Sequence, residues 1–253
     1  MTRYVLHVEY DGTAYAGFQL QPDQPTVQGR LEEAAEALYK QAVRVHASGR
    51  TDAGVHAEHQ IVHFDPPSEL RNLNLKAALN TVLPPDIRVL DTAVTDDTFH
   101  ARFSARERRY RYDISTGVTA LDRHRVWQIF QDLDLKRMQA CAELIVGEHD
   151  FTSFCSLQAE VDHKRCIIYR SVWERTGDRL SYHVHGNRFL HSMVRSLVGT
   201  MAEAGKHRLD VKDFLSILER RDRLAGAVTA PPQGLFLVDV LYDSPIPWEK
   251  ESR

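Results

Sequence analysis

With 253 residues the chain can bury one large core or two smaller ones, and 43% hydrophobic against 26% charged residues is the balance of a soluble globular protein. A net charge of −3 gives no overall attraction for nucleic acid, so any RNA-binding surface has to be a local concentration of positive charge. No stretch approaches the roughly 18 apolar residues of a membrane helix. Cys141, Cys155 and Cys166 form no CxxC pair, and Arg3, His7 and Glu9 interrupt what would be the apolar part of a signal peptide, so a cytoplasmic protein is expected.

In chain order, Tyr4 to Tyr10 has strand composition and ends at the turn pair Asp11-Gly12. Thr26 is placed to cap a helix whose apolar face is Val27, Leu31, Ala34, Ala35 and Leu38. Gln60 to Phe64 reads as a strand. Leu73, Leu75, Ala78, Leu79 and Val82 suit a helix that stops before Pro84-Pro85, and Ile87 to Leu90 a short strand. Arg109 to Ile114 alternates as a strand, and Asp134 caps a helix running to Gly147. Arg170 to Glu174 and Leu180 to His185 suit strands, Asn187 to Ala204 a long helix and Asp210 to Arg220 a shorter one, with Val211, Phe214, Leu215 and Leu218 inward. Gly234 to Leu241 closes the chain as a strand. Strands and helices alternate without a βαβ period, which favours an α+β class. The change of pattern near residues 100 to 106 divides the chain into an N-terminal domain, 1–104, and a C-terminal domain, 105–253.

Three segments could carry chemistry. In Ser48-Gly49-Arg50-Thr51-Asp52-Ala53-Gly54-Val55-His56-Ala57 two glycines bracket an Arg, a Thr and an Asp. Glycine there permits positive φ or close backbone approach, so Asp52 is either presented to a ligand beside the cationic Arg50 or tied into a surface Asx turn. Around Arg195 the apolar residues Phe189, Leu190, Met193, Val194, Leu197, Val198 and Met201 cover most of a helix. Arg195 therefore either needs a buried anionic or carbonyl partner, or snorkels along an exposed stripe. The third segment, Phe99 to Tyr112, holds five arginines interleaved with aromatics. It is either a surface that grips phosphates through Arg106, Arg108 and Arg109, or a core-facing Tyr110/Tyr112 pair with a solvated basic edge. His56, His59 and His63, and the pair His183/His185, lack a carboxylate at ligand spacing, so no metal site is expected. GxxxxGK[ST], GxGxxG and GxSxG are all missing, which removes support for nucleotide hydrolysis, dinucleotide binding and serine-hydrolase chemistry.

Together, EYDGTAYAGFQLQP, TVQGRLEEA, SGRTDAGVHA, LPPDI, FHARFSARERRYRY, HDFTSF, FLHSMVRSLVG and APPQGLFLVDV resemble, in order, the tRNA pseudouridine synthase A (TruA) family. The resemblance implies that Asp52 is the catalytic nucleophile with Arg50 beside it, that Arg195 pairs with Asp52, that Tyr110 is the active-site aromatic, and that Leu235 lines the uracil pocket. It also implies two α+β subdomains whose sheets join into one mainly antiparallel central sheet, the pseudouridine synthase fold, with the active-site cleft between them. Conversion of uridine to pseudouridine at positions 38 to 40 of the tRNA anticodon arm, a homodimer, and no metal or organic cofactor are implied as well. The chain departs from the family's pattern at Phe18, where Trp is usual, at Ser192, where His is common, and at Cys155, where Arg is frequent. Attack on carbon 1′, attack on carbon 6 and removal of a 2′ proton are all open to a carboxylate in this setting. Two rival readings are a binding module that holds tRNA without turnover and a metal-dependent hydrolase built on the histidines.

Overall fold

The structure, a computed structural model, describes residues 2–68, 74–156, 163–224 and 227–249. It is α+β, a mixed central sheet with five helices packed on it, as expected. The chain divides into two compact units, Met1–Arg106 with Leu237–Arg253, and Glu107–Phe236. The sequence-based division gave the whole C-terminus to the second domain. In the structure the last strand, from Leu237 on, groups with the first unit, and its apolar residues Leu237 and Val240 are buried.

In the first unit, β1 (Arg3–Tyr10) alternates, with Leu6, Val8 and Tyr10 buried on one face. Then come α1 (Val27–Tyr39), β2 (His46–Ala47), β3 (His56–Phe64), α2 (Leu75–Val82) and β4 (Ile87–Thr95). β1 lies antiparallel between β3 and β4, and β2 pairs antiparallel with β3. Thr26 caps α1, its hydroxyl accepting from Gly29 N–H, and α2 ends at Leu83 before the two prolines, as read from the sequence; Leu73 lies outside the described residues. β3 starts four residues before the expected strand, through the buried His56 and Ala57 and the more exposed Glu58 and His59, and β4 runs five beyond it, through the buried Thr92 and Ala93 between more exposed residues.

The second unit holds most of β5 (Ala105–Ser115), then β6 (Trp127–Gln128), α3 (Leu135–Glu143), β7 (Gly147–Asp150), β8 (Arg165–Thr176), β9 (Arg179–Gly186), α4 (Met193–Gly205) and α5 (Val211–Arg220). The last strand, β10 (Leu235–Tyr242), begins in this unit and ends in the first. The order β5-β9-β8-β7 is antiparallel throughout, and β6 pairs parallel with β5. Asp134 caps α3 as expected, through two backbone N–H groups. The long helix expected from Asn187 begins only at Met193. Asn187 instead bonds β8, its N–H donating to Ile167 O and its Oδ1 accepting from Ile167 N–H, and Ser192 adopts a left-handed φ of 60° that breaks any helix before it. On α5 the buried residues are Phe214, Ile217 and Leu218, so Ile217 takes the place expected for Val211 and Leu215.

Candidate active site

In the first unit, Asp52 sits on the loop from Ser48 to Val55 that leads into β3, and the neighbours of the loop are fixed on all sides. Phe18 N–H donates to Thr51 O (3.0 Å), Gly54 N–H to Tyr15 O (3.2 Å) and Val55 N–H to Asp52 O (3.1 Å). Gly12 N–H donates to Nδ1 of the buried His56 at 3.1 Å, so this histidine anchors the Asp11-Gly12 turn under the loop. Two glycines are needed here. A methyl group on Gly12 would lie 2.0 Å from Val55 O, and one on Gly17, whose φ is +99°, would lie 2.7 Å from Thr51 O. The EYDGTAYAGF segment is therefore the cradle of SGRTDAGVHA. Asp52 remains partly exposed and Arg50 exposed, while Thr51 and Ser48 are buried.

The second unit holds Tyr110, Arg195 and Leu235. Tyr110, on β5, is buried and meets the Phe189 ring edge-on, with centroids 5.1 Å apart. Arg195, in the first turn of α4, is partly exposed. Its Nε donates to Ala230 O (2.9 Å) while Ala230 N–H donates to Arg195 O (3.0 Å), so the stem of the guanidinium is clamped to the APPQG segment. The same segment is held by Tyr112, whose hydroxyl donates to Pro231 O at 2.7 Å. Burial holds the Tyr112 phenol well above its ordinary range, opposed by the nearby Arg195 charge. Leu235 follows at the start of β10 and is buried. Tyr112 and the 230–231 segment thus hold Arg195 within this unit, while Tyr110 packs against Phe189.

The arginine-rich segment is largely engaged. Tyr110 and Tyr112 share a buried face, as the alternation requires, but Arg108 shares it too: it is 8% exposed and donates to Asn187 O at 2.8 Å. Arg109 pairs with Glu107 (2.6 Å) and Arg106 with Asp243 (2.6 Å). Arg111 pairs with Asp113 (3.0 Å), with its guanidinium 4.8 Å from the Phe236 ring centroid. Among the described residues no group of three or more His, Cys, Asp or Glu side chains is placed to hold a metal ion, and no helix is long and apolar enough to cross a membrane.

Sequence reasoning passed over Phe189, Ala230, Tyr10 and Gln60. A signal existed for the last two: each puts a polar group beside apolar residues of its strand face, Leu6 and Val8 for Tyr10 and Val62 and Phe64 for Gln60, and such a group must find partners when buried.

The family described as tRNA pseudouridine synthase matches residues 6–104 and 141–243. Similar curated proteins include tRNA pseudouridine synthase A of Latilactobacillus sakei (44% identical, covering 95% of this chain and 98% of the relative). Those of Bradyrhizobium sp. (43%; 96% and 100%) and Bacillus subtilis (41%; 94% and 98%) are also similar. A solved Cbf5–Nop10–Gar1 complex is similar at 12% identity with a TM-score of 0.35, covering 79% of this chain and 54% of that one, too weak a likeness to carry an argument. The chain belongs to the tRNA pseudouridine synthase family, the isomerases that convert uridine to pseudouridine in tRNA.

Proposed function

We propose that this tRNA pseudouridine synthase acts in the cytoplasm, as a homodimer, on uridines 38 to 40 of the anticodon arm, and that it needs no metal or organic cofactor. The observation that carries the reading is the intact SGRTDAGVHA loop, whose backbone is fixed by buried neighbours while the Asp52 carboxylate stays accessible. Uridine has to leave its stack before its base is detached, turned and rejoined. The N1–C1′ bond breaks, a C5–C1′ bond forms, the C5 hydrogen passes to solvent and N1 takes up a proton, so nothing else is consumed.

In this reading Asp52 is the nucleophile, Arg195 its cationic partner and Arg50 an adjacent positive group. Tyr110 stacks on the uracil, contributing about 1–3 kcal/mol, with Leu235 lining the base pocket. Of the three arginines expected to bind RNA, Arg106 and Arg109 are the proposed phosphate contacts. Arg106 and Arg109 can exchange a carboxylate for a phosphate at modest cost, whereas Arg108 acts by holding the Asn187 carbonyl that braces β5 and β8.

The test is tRNA carrying tritium at uridine carbon 5. The protein is expected to release tritium without added metal or nucleotide and undiminished by chelator, from uridines of the anticodon arm. Release from other positions would reject the assigned substrate site and keep the chemistry. A folded protein that binds tRNA and releases none would be a binding module, and release abolished by chelator would favour the metal-dependent reading.

A further inference from the structure

Beneath the Asp52 loop lies a set of polar side chains to which the chemistry above assigns no task. Gln60, in the middle of β3, is 0% exposed. Its amide oxygen accepts from the Ser48 hydroxyl (2.7 Å), and its amide nitrogen donates to Gly49 O (2.9 Å) and, more distantly, to the Tyr10 hydroxyl (3.5 Å). The Tyr10 hydroxyl in turn lies 2.7 Å from Thr51 Oγ1. Tyr10, at the end of β1, is 2% exposed, and burial pushes its phenol up to about 12, so it keeps its proton throughout the neutral range. Gln60 donates to Tyr10, and between the Tyr10 and Thr51 hydroxyls either oxygen can be the donor.

Two strands of the sheet therefore grip three of the four residues that precede Asp52, and they do so through side chains that cannot slide. A buried amide or hydroxyl left unbonded costs on the order of 1–3 kcal/mol, so each bond resists any loop position that would break it. Low local dielectric strengthens such a chain beyond its separate links. Core packing alone would be served equally well by Phe and Leu at positions 10 and 60. The hydroxyl and the amide add only direction, and both are spent on the backbone and side chains leading to Asp52.

We infer that Tyr10, Gln60 and Thr51 form a positioning array that sets where the Asp52 carboxylate stands. The inference rests on the reading of Asp52 as the catalytic carboxylate. None of the three is a catalytic residue; they act through Asp52. A misplacement of about 1 Å at a reacting group can cost on the order of a hundredfold in rate, whereas tRNA affinity comes mainly from phosphate contacts that the array does not make.

Single-turnover tritium release and tRNA affinity should be measured together for Tyr10→Phe, Thr51→Val, Thr51→Ser and Gln60→Glu, with melting temperature as the check on folding. Tyr10→Phe and Thr51→Val are expected to slow release by about 10- to 100-fold, with tRNA Kd within about threefold of wild type. Thr51→Ser, which keeps the hydroxyl, should stay within about threefold of the wild-type rate. Gln60→Glu should match the slow variants; if it fails to fold, Tyr10→Phe decides, because it removes one oxygen and no packing. The array is refuted if folded Tyr10→Phe and Thr51→Val run at the wild-type rate. It is equally refuted if Thr51→Ser is as slow as Thr51→Val, or if the loss appears in Kd rather than rate. Wild-type release and its loss in Asp52→Asn are read first. If either is missing the catalytic reading has failed, whereas full speed in the array variants beside both fails this inference alone.

Discussion

The Asp52 loop and the arginine-rich entry to β5 are the two most conspicuous segments of the sequence, and the structure treats them in opposite ways. In the loop the conspicuous residue stays partly exposed while the backbone around it is tied down. In the strand the conspicuous residues are the ones tied down: Arg108 to a carbonyl, Arg106, Arg109 and Arg111 to carboxylates. A run of like charge is therefore a poor measure of the charge a surface offers, because carboxylates two residues away (Glu107, Asp113) and far along the chain (Asp243) neutralise it. A glycine-bracketed acid is a better sign of presentation, since its backbone needs are local.

The largest way to break the contrast is at the cradle of the loop. Gly12→Ala forces a methyl against Val55 O, and overpacking of this kind should cost about 1–3 kcal/mol in urea unfolding. Displacement of the loop should slow tritium release as well. Unchanged stability and rate would mean that the loop does not depend on the Asp11-Gly12 turn.

Next comes Arg108→Gln, which removes the part-buried bond from the buried Arg108 side chain to the Asn187 carbonyl and should destabilise by about 1 kcal/mol while leaving the salt dependence of tRNA binding intact. Arg106→Gln and Arg109→Gln should do the reverse: stability holds, and each lost phosphate contact lowers the log–log salt slope by a little under about one unit. If Arg108→Gln lowers the slope as much as the other two, the division of this strand into structural and RNA-facing arginines is wrong.

The smallest effect concerns pH. Burial first, then the neighbouring His100 and Arg3, push the His63 imidazole down to about 3, and its Nδ1 accepts from Ala101 N–H at 3.1 Å. The folded protein keeps His63 neutral while the unfolded chain takes up that proton below about 6.5. The unfolded state thus binds more protons, and stability should fall as pH drops from about 6.5 toward 3. His63→Asn, which keeps an acceptor, should flatten the urea midpoint against pH between 7 and 5; an unchanged slope would remove His63 from the acid response.

Much of the fold was legible because it rests on local chemistry. Thr26, Asp134 and the two prolines after Leu83 set helix ends through bonds three or fewer residues away or through a missing N–H. What was not legible depends on distant partners. The helix around Arg195 is shorter than its apolar pattern because Asn187 is claimed by β8, and β10 belongs partly to the first unit through contacts more than a hundred residues away. For the candidate site, Asp52 and Arg195 stood out by their surroundings in the sequence, whereas Tyr110 was told from Tyr112 only by the family resemblance. The anchors did not: Tyr10 and Thr51 are 41 residues apart, and Arg195 and Ala230 are 35 apart.

The most direct measurement of the central claim is tritium release from carbon-5-labelled tRNA by Asp52→Asn, taken beside its tRNA affinity and its unfolding curve. The amide keeps the shape of the carboxylate and loses its charge. The account predicts a folded protein with nearly unchanged tRNA affinity and release reduced by at least about a thousandfold. Release at more than that fraction from a folded, tRNA-binding Asp52→Asn protein would contradict the claim that this carboxylate carries the reaction.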